Sequence, residues 1–148
     1  MKSITSVKQS DIKEKWYIID ARGARIGRLA SITAQLLLGK NDVLKRDYHE
    51  PMTKVVIINA DKLDITEKRG MTKFYKSYSG FPGGLRYASL KDLSAKHPEK
   101  PIESAIKGML PRTKRGADMM ANLRIYAGED HKHQAQELEK IDLQNFNI

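Results

Sequence analysis

The segment Trp16–Lys40, WYIIDARGARIGRLASITAQLLLGK, sets the architecture of this chain. Its first five residues, Trp16–Asp20, form a compact apolar run that ends in a turn-prone aspartate, which is typical of a buried strand. Over 26–37 apolar residues recur at helical spacing, and Gly39 provides a helix stop. The segment therefore predicts a strand, a glycine-containing turn and a helix.

A second apolar run, Val55–Asn59 (VVIIN), consists mostly of β-branched residues. Because it shows no alternation of apolar and polar residues, it predicts a strand covered on both faces, as in a parallel sheet between helices. We expect a turn and a short extended segment after it, another turn at Lys68–Gly70, and a last strand at Arg124–Ala127.

Three helices are predicted between these strands. Ser89, with an acid three residues later, resembles a capping box, so a helix should begin there and end near His97. Pro101 marks the start of a second helix that closes before Pro111, and a third, short helix is expected over 117–123. Alternating strands and helices with short connections predict a three-layer α/β domain.

The charge is distributed unevenly along the 148 residues. Residues 1–128 hold 25 Lys and Arg against 13 Asp and Glu, a net charge of +12, whereas 129–148 carry −3. We expect an N-terminal arm at 1–15, one α/β domain at 16–128 and an acidic tail at 129–148. The excess of cations predicts a polyanionic partner, either nucleic acid or an acidic membrane surface, with the tail facing away from it.

Composition narrows the class of protein further. The chain contains no cysteine, which removes disulfides, thiolate metal sites and cysteine nucleophiles. No apolar run approaches the ~20 residues that a membrane helix needs, and the N-terminal residues lack the apolar core of a signal peptide. A cytoplasmic protein is expected.

A stretch rich in aromatic residues and glycine, Lys73–Arg86 (KFYKSYSGFPGGLR), predicts a short strand that breaks into a bent loop. Its rings offer faces on which nucleobases can stack, and its cations can pair with phosphates. No carboxylate lies between Glu67 and Asp92. The alternative is a hairpin turn whose aromatic residues fill a core.

The turn Arg22–Arg28 follows a strand and opens a helix, which is the context of a phosphate-binding loop. It lacks both G-x-G-x-x-G and G-x-x-x-x-G-K-[ST], so it gives weak support to a nucleotide cofactor. Its three arginines oppose the helix dipole, and a bound phosphate would relieve that cost. Solvated arginines on a plain glycine turn are the other interpretation; we favour a backbone phosphate of nucleic acid.

No catalytic or metal centre is predicted. His131 and His133 have no two further ligands placed beside them, so we expect solvated surface histidines. Neither a serine–histidine–acid set nor a G-x-S-x-G elbow is present. We expect no metal, no cofactor and no small-molecule substrate.

The sequence resembles a known family along nearly its whole length. The stretches KWYIIDARGARIGRLA, LLLGK, VVIINADKL, YSGFPGGLR, IESAIKGMLPRTKRG and LRIYAGEDHKHQAQ are similar, in order and spacing, to those of the bacterial large-subunit ribosomal protein L13 family. YSGFPGGL and KGMLP are the most specific of these stretches. The resemblance implies a three-layer α/β/α fold with a four-stranded, mainly parallel sheet.

The resemblance also implies a non-catalytic, structural role. It implies binding to large-subunit rRNA, early entry into subunit assembly and contacts with neighbouring ribosomal proteins in the cytoplasm. The candidate RNA-binding residues, from the basic clusters and from the resemblance, are Arg22, Arg25, Arg28, Lys40, Lys45, Arg46, Lys73, Lys76, Tyr78, Ser79, Phe81, Pro82, Gly83, Gly84, Arg86, Lys107, Arg112, Lys114 and Arg115.

One stretch departs from the family pattern. Between Gly39 and Val55 the chain reads GKND and YHEPMT where the family has a basic GKHK-like start and a Gly-Asp turn, so the shape of this loop is open. Two other functions compete with the ribosomal one. The first is a small nucleotide- or phosphate-binding α/β enzyme, and the second is a peripheral membrane protein, for which an amphipathic basic helix is missing.

Overall fold

The computed structural model describes residues 14–42 and 52–143 of the chain. Its strands are β1 (Lys15–Asp20), β2 (Thr53–Ile58), β3 (Phe74–Tyr78), β4 (Leu85–Ser89), β5 (Leu123–Ile125) and β6 (Leu138–Ile141). Its α-helices are α1 (Ile26–Leu38), α2 (Glu67–Thr72), α3 (Leu90–Lys96), α4 (Glu99–Met109) and α5 (Lys114–Ala121), and a 3-10 turn spans Ala60–Lys62.

Four strands form one sheet in the order β5-β2-β1-β6, and every neighbouring pair is parallel. Ile19 in β1 lies level with Ile57 in β2 and Ile141 in β6. The four-stranded parallel sheet and its helices agree with the predicted three-layer α/β/α class. β3 and β4 pair separately as an antiparallel hairpin.

The core lies between one face of this sheet and the helices. Ile19 and Ile57 are fully buried, and they belong to one cluster with Leu29 and Leu36 of α1 and Ile102 of α4. Burying a side chain of this size contributes about 1.5–3 kcal/mol. The basic turn after β1 therefore joins a strand and a helix that are both firmly packed in the core.

Two predicted helix ends are confirmed at atomic detail. Gly39 follows α1 in the left-handed region with φ 67°, and its N–H donates to the carbonyl oxygens of Gln35 and Leu36. Ser89 caps α3, because its hydroxyl oxygen accepts a hydrogen bond of 3.1 Å from the N–H of Asp92. The α3 helix then ends at Lys96, as the sequence predicts.

Three local predictions are wrong. Arg124–Ala127 is not the last strand, because β6 follows it within the tail and pairs with β1. The predicted turn at Lys68–Gly70 lies inside α2. The third helix, predicted over 117–123, lies nearer the N-terminus, because α5 spans Lys114–Ala121.

The division of the chain into arm, domain and tail stays a prediction. Most of the arm, residues 1–13, lies outside the described residues, as do the candidate RNA-binding residues Lys45 and Arg46. Within the tail, β6 forms an edge strand of the main sheet, so 138–141 share the architecture of the domain.

Candidate nucleic-acid interface

The turn after β1 is held in shape by Asp20. One oxygen of its carboxylate, Oδ1, accepts the N–H of Arg22 at 3.0 Å and the side-chain N–H of Asn59 at 2.9 Å. Gly23 has φ 66°, and its N–H donates to the carbonyl oxygen of Lys62 at 2.9 Å. Asn59 is buried with φ 57° at the end of β2, so the ends of two neighbouring strands are tied together.

Asp20 is ionised in this arrangement. Burial acts to raise the pKa of its carboxyl group, but the hydrogen bonds from Arg22 and Asn59 and the charges of Arg22 and Lys140 outweigh it. The pKa of Asp20 consequently lies below its ordinary value. The negative charge is used to fix the backbone from which the arginines project.

All three arginines of this turn are exposed, and two of them have carboxylate partners. Arg22 pairs with Glu129, and Arg25 Nε lies 3.7 Å from an oxygen of Asp64. Lys62 Nζ lies 3.9 Å from the same Glu129 carboxylate. Glu129 belongs to the acidic tail, which we expected to face away from an anionic partner, yet its carboxylate lies among these cations.

These ion pairs leave the arginines available to a phosphate. The partners are largely exposed, and surface pairs of this kind contribute only about 0–1 kcal/mol. Arg25 makes no side-chain hydrogen bond that caps α1, and the first turn of the helix holds no acid. Arg28 is exposed and forms no ion pair with the described residues. The helix dipole at this end is thus uncompensated, as the sequence indicates.

A fourth arginine joins these three from a distant part of the chain. A cleft of about 720 Å³ lies at the carboxyl ends of β1 and β6, where Arg22, Arg25 and Arg28 line it together with Arg69 of α2. In parallel sheets, ligands bind at such a crevice, where the strand order reverses. Sequence reasoning missed Arg69; its only signal was a pair of cations at 68–69 in a segment interpreted as a turn.

The loop of the β3–β4 hairpin needs its glycines. Gly80 and Gly83 have φ of 85° and 73°, and the N–H of Gly84 donates to the carbonyl oxygen of Phe81 at 2.9 Å. A Cβ atom on Gly84 would lie 2.1 Å from the hydroxyl oxygen of Ser79. The loop 79–84 is therefore a fixed shape, with Pro82 at its tip exposed.

The aromatic residues of this hairpin are on the surface. Phe74, Tyr78, Phe81 and Tyr87 are exposed, while Tyr75 on the other face is half-buried. The alternative that these rings fill a core is therefore wrong for all but Tyr75. Lys73, Lys76 and Arg86 are exposed as well, so both the rings and the cations of the hairpin are accessible to a partner.

The third basic loop follows α4. Arg112 is exposed on this loop, and Lys107 near the end of α4 and Lys114 at the start of α5 are exposed beside it, while Arg115 in α5 is half-buried. Leu110 is buried and anchors the loop, whose backbone returns so closely on α5 that a Cβ on Gly116 would lie 1.8 Å from the carbonyl oxygen of Pro111. Arg112 thus projects from a closely packed loop, with Lys107 of α4 and Lys114 of α5 on either side of it in the sequence.

The basic cluster Lys40–Arg46 lies only partly within the described residues. Lys40 is exposed directly after the Gly39 cap of α1, where a free cation would suit the carboxyl end of the helix. Lys45 and Arg46 lie outside the described residues. The role of this cluster in RNA binding stays a prediction.

The two histidines of the tail are half-buried and lie against aromatic rings, so they are less solvated than predicted. The ring of His133 lies 5.0 Å from Trp16 and 6.0 Å from Tyr126, and His131 lies 6.5 Å from Tyr126. Burial, followed by the charges of Arg124, His131 and Lys54, lowers the pKa of His133. The ring of His133 therefore packs against Trp16 of β1 and against Tyr126, which follows β5.

Within 14–42 and 52–143, no three His, Asp or Glu side chains are grouped so that they could hold a metal ion. In the same residues, no helix combines the length and the apolar character that crossing a membrane requires.

The chain matches known proteins over most of its length. The family described as Ribosomal protein L13 matches residues 14–132. The large ribosomal subunit protein uL13 of Caldanaerobacter subterraneus subsp. tengcongensis is 44% identical over 137 residues, which cover 93% of this chain and 96% of that relative. The uL13 proteins of Petrotoga mobilis and Levilactobacillus brevis are 41% and 39% identical, over 95% and 99% of this chain and 93% and 99% of the relatives.

A parallel α/β body with exposed cations on its connecting loops, matched over its length by ribosomal proteins, is a ribosomal protein by class. Within that class, the chain belongs to the ribosomal protein L13 family. The proteins of this family are structural and non-enzymatic, so the chain is not an enzyme, and the alternative of a nucleotide-handling enzyme falls.

Proposed function

We propose that this protein is a structural component of the large ribosomal subunit that binds large-subunit rRNA through its basic and glycine-rich loops. It joins the subunit early in assembly, contacts neighbouring ribosomal proteins and works in the cytoplasm. The relatives are named as proteins of the large ribosomal subunit, which supports the assignment of this chain to the same particle.

The observation that carries the proposal is the position of the exposed cations. Arg25 lies on the connection between β1 and α1, Arg86 lies near the start of β4 just after the glycine-rich loop, and Arg112 lies on the connection between α4 and α5. Cations at several element ends suit a folded RNA, whose phosphates approach a globular body from several directions. A single basic helix face would suit a groove instead.

The mechanism is neutralisation of phosphate charge at several points on a rigid body. Each phosphate contact releases counterions from the RNA, so the affinity falls as salt is raised. Because the loops are fixed by Gly84 and Gly116, little backbone ordering remains to be done on binding. Little base-specific readout is expected from arginines and lysines that contact the backbone.

Binding of the purified protein to large-subunit rRNA over a range of salt concentrations tests this proposal. Arg25→Ala and Arg112→Ala should each weaken binding and reduce the slope of log K against log salt by about one. Glu103→Gln on α4, which changes an exposed charge without removing a cation, serves as the control. Unchanged slopes in both arginine variants would contradict the proposed binding mode.

A further inference from the structure

The two faces of the β3–β4 hairpin are unlike each other. Cross-strand pairs share a face, so Phe74 with Ser89, Lys76 with Tyr87, and Tyr78 with Leu85 point to one side. Every one of these three successive pairs carries one aromatic ring. The rings are 58% exposed at Phe74, 58% at Tyr87 and 64% at Tyr78, so this aromatic face has no partner within the described residues.

The charge around the aromatic face has one sign. Residues 68–91 contain six Lys and Arg and no Asp or Glu. Lys76 Nζ lies over the Tyr87 ring, 5.7 Å from its centre, so a cation contacts one face of a ring that is largely exposed to solvent. A ring with an adjacent cation can stack on a base while the cation pairs with the phosphate of the same nucleotide.

The spacing of the rings matches the thickness of bases. A strand rises about 3.4 Å per residue, so successive pairs on one face are about 7 Å apart. Two rings that enclose one base are separated by two stacking distances, each about 3.4 Å, which is also about 7 Å. Phe74 and Tyr78 lie on β3 and Tyr87 lies between them on β4, so Tyr87 is the diagonal neighbour of both, at the spacing of about 7–8 Å that diagonal neighbours have, which leaves room for one base between each two rings.

We propose that the aromatic face of the β3–β4 hairpin holds unpaired nucleotides of RNA, whose bases insert between Phe74, Tyr87 and Tyr78. The inference rests on the proposed rRNA binding and specifies its partner at this hairpin: a single strand with its bases turned outward, not a duplex. In a duplex the bases are stacked on each other, and these rings would meet only the sugar–phosphate surface.

The composition of the face favours RNA over a protein partner. The centres of protein–protein interfaces are depleted in lysine, whereas this face has Lys76 at its middle. An acidic protein would pair with the cations but would leave the exposed rings without matched flat partners. Stacking on bases uses the rings and the cations at once.

The test compares two RNA probes of about 12 nucleotides, one single-stranded with mixed sequence and one a perfect duplex. The full chain is used, with Tyr78→Leu and Tyr87→Leu as variants that keep an apolar side chain but remove the ring. Met109→Leu, an exposed apolar position at the end of α4, is the matched control. Thermal unfolding followed by circular dichroism confirms that each variant is folded.

We expect the wild-type protein to bind the single strand more tightly than the duplex. Each tyrosine variant should weaken single-strand binding at least about fivefold and leave duplex binding unchanged. Met109→Leu should change neither. Equal binding of the single strand by wild type and both variants would overturn the inference, and so would a wild-type preference for the duplex.

The failure of this inference can be separated from failure of the proposed function. If Arg112→Ala weakens binding to whole large-subunit rRNA while the tyrosine variants bind both probes normally, the rRNA role stands and the stacking role falls. If the tyrosine variants bind both probes normally but enter ribosomes poorly, the aromatic face contacts a protein instead, and the inference is again overturned.

Discussion

The carboxylate of Glu129 pairs with the guanidinium group of Arg22 across 107 positions of the chain, and it also lies 3.9 Å from Lys62 Nζ. A phosphate arriving at this turn would compete with a carboxylate that already occupies the same cations. If the turn binds rRNA as proposed, we expect Glu129 to lower its affinity, while the ion pair contributes only about 0–1 kcal/mol to stability.

Glu129→Gln should therefore strengthen binding to large-subunit rRNA, by up to about fivefold at low salt, because Arg22 and Lys62 become free. The gain should shrink as salt rises. Glu137→Gln makes the same chemical change at an exposed position that forms no ion pair with the described residues, and it should gain less. Equal gains in the two variants would mean that only net charge matters.

Gly116→Ala should destabilise the protein although alanine usually favours a helix. The added methyl group would lie 1.8 Å from the carbonyl oxygen of Pro111, which is backbone and cannot move aside cheaply. We expect the free energy of unfolding to fall by about 1–3 kcal/mol in urea titrations.

Gly108→Ala is the control, because no atom lies within 4 Å of the position of its Cβ in α4. It should be neutral or stabilising by up to about 1 kcal/mol. If both variants shifted stability in the same direction, the close approach of Pro111 to α5 would be in doubt.

Asp20→Ala should lower the free energy of unfolding at pH 7 by about 1–3 kcal/mol, because it leaves the buried side-chain N–H of Asn59 without its acceptor. The folded-state pKa of Asp20 is below the ordinary 3.8, so its contribution is complete above that pH. The contribution is lost as the pH falls through the folded-state pKa.

Urea unfolding of wild type and Asp20→Ala between pH 7 and about pH 3 measures this contribution. The difference between the two should be constant down to about pH 4 and narrow below it. Asp61→Ala, at an exposed acid that forms no ion pair with the described residues, should differ from wild type by less than about 0.5 kcal/mol throughout. A gap for Asp20→Ala that widened in acid would have the wrong sign.

Arg69→Ala should weaken rRNA binding and lower the salt slope by about one, as expected of a cation that lines the cleft with Arg28. Lys68→Ala removes the neighbouring exposed cation, which does not line the cleft, and should have the smaller effect. The reverse order would indicate that RNA approaches α2 from its other side.

The elements with strong local signals could be predicted from sequence. β1 and β2 are short apolar runs, and α1 has both a helical repeat and a glycine that adopts the left-handed conformation its end requires. These signals depend on neighbours a few residues away. The fold class followed from their order along the chain.

β6 could not be found in this way. It has four residues, LEKI, of which two are charged, and it is extended because β1 offers a free parallel edge more than 100 positions earlier. α2 has only six residues and contains a glycine, so helix propensity argues against it. Both elements depend on distant packing.

The same distinction holds for the candidate interface: some of its residues could be predicted from the sequence, and the others depend on distant contacts. The exposed arginines at 22–28 and the cations of the hairpin are visible in the sequence, but their partners are not. Arg69 reaches the cleft, and Glu129 reaches Arg22, only through the folding of the sheet. Composition also could not tell whether the rings of the hairpin are buried, since Tyr75 is half-buried while Tyr78, three residues later, is exposed.

Sedimentation tests the proposed ribosomal role most directly. A tagged copy expressed in its own cells is followed through a sucrose gradient at moderate salt, with and without ribonuclease. We predict that it travels with the large subunit and with whole ribosomes, and leaves those fractions only when the RNA is destroyed. Recovery at the top of the gradient under both conditions would contradict the account.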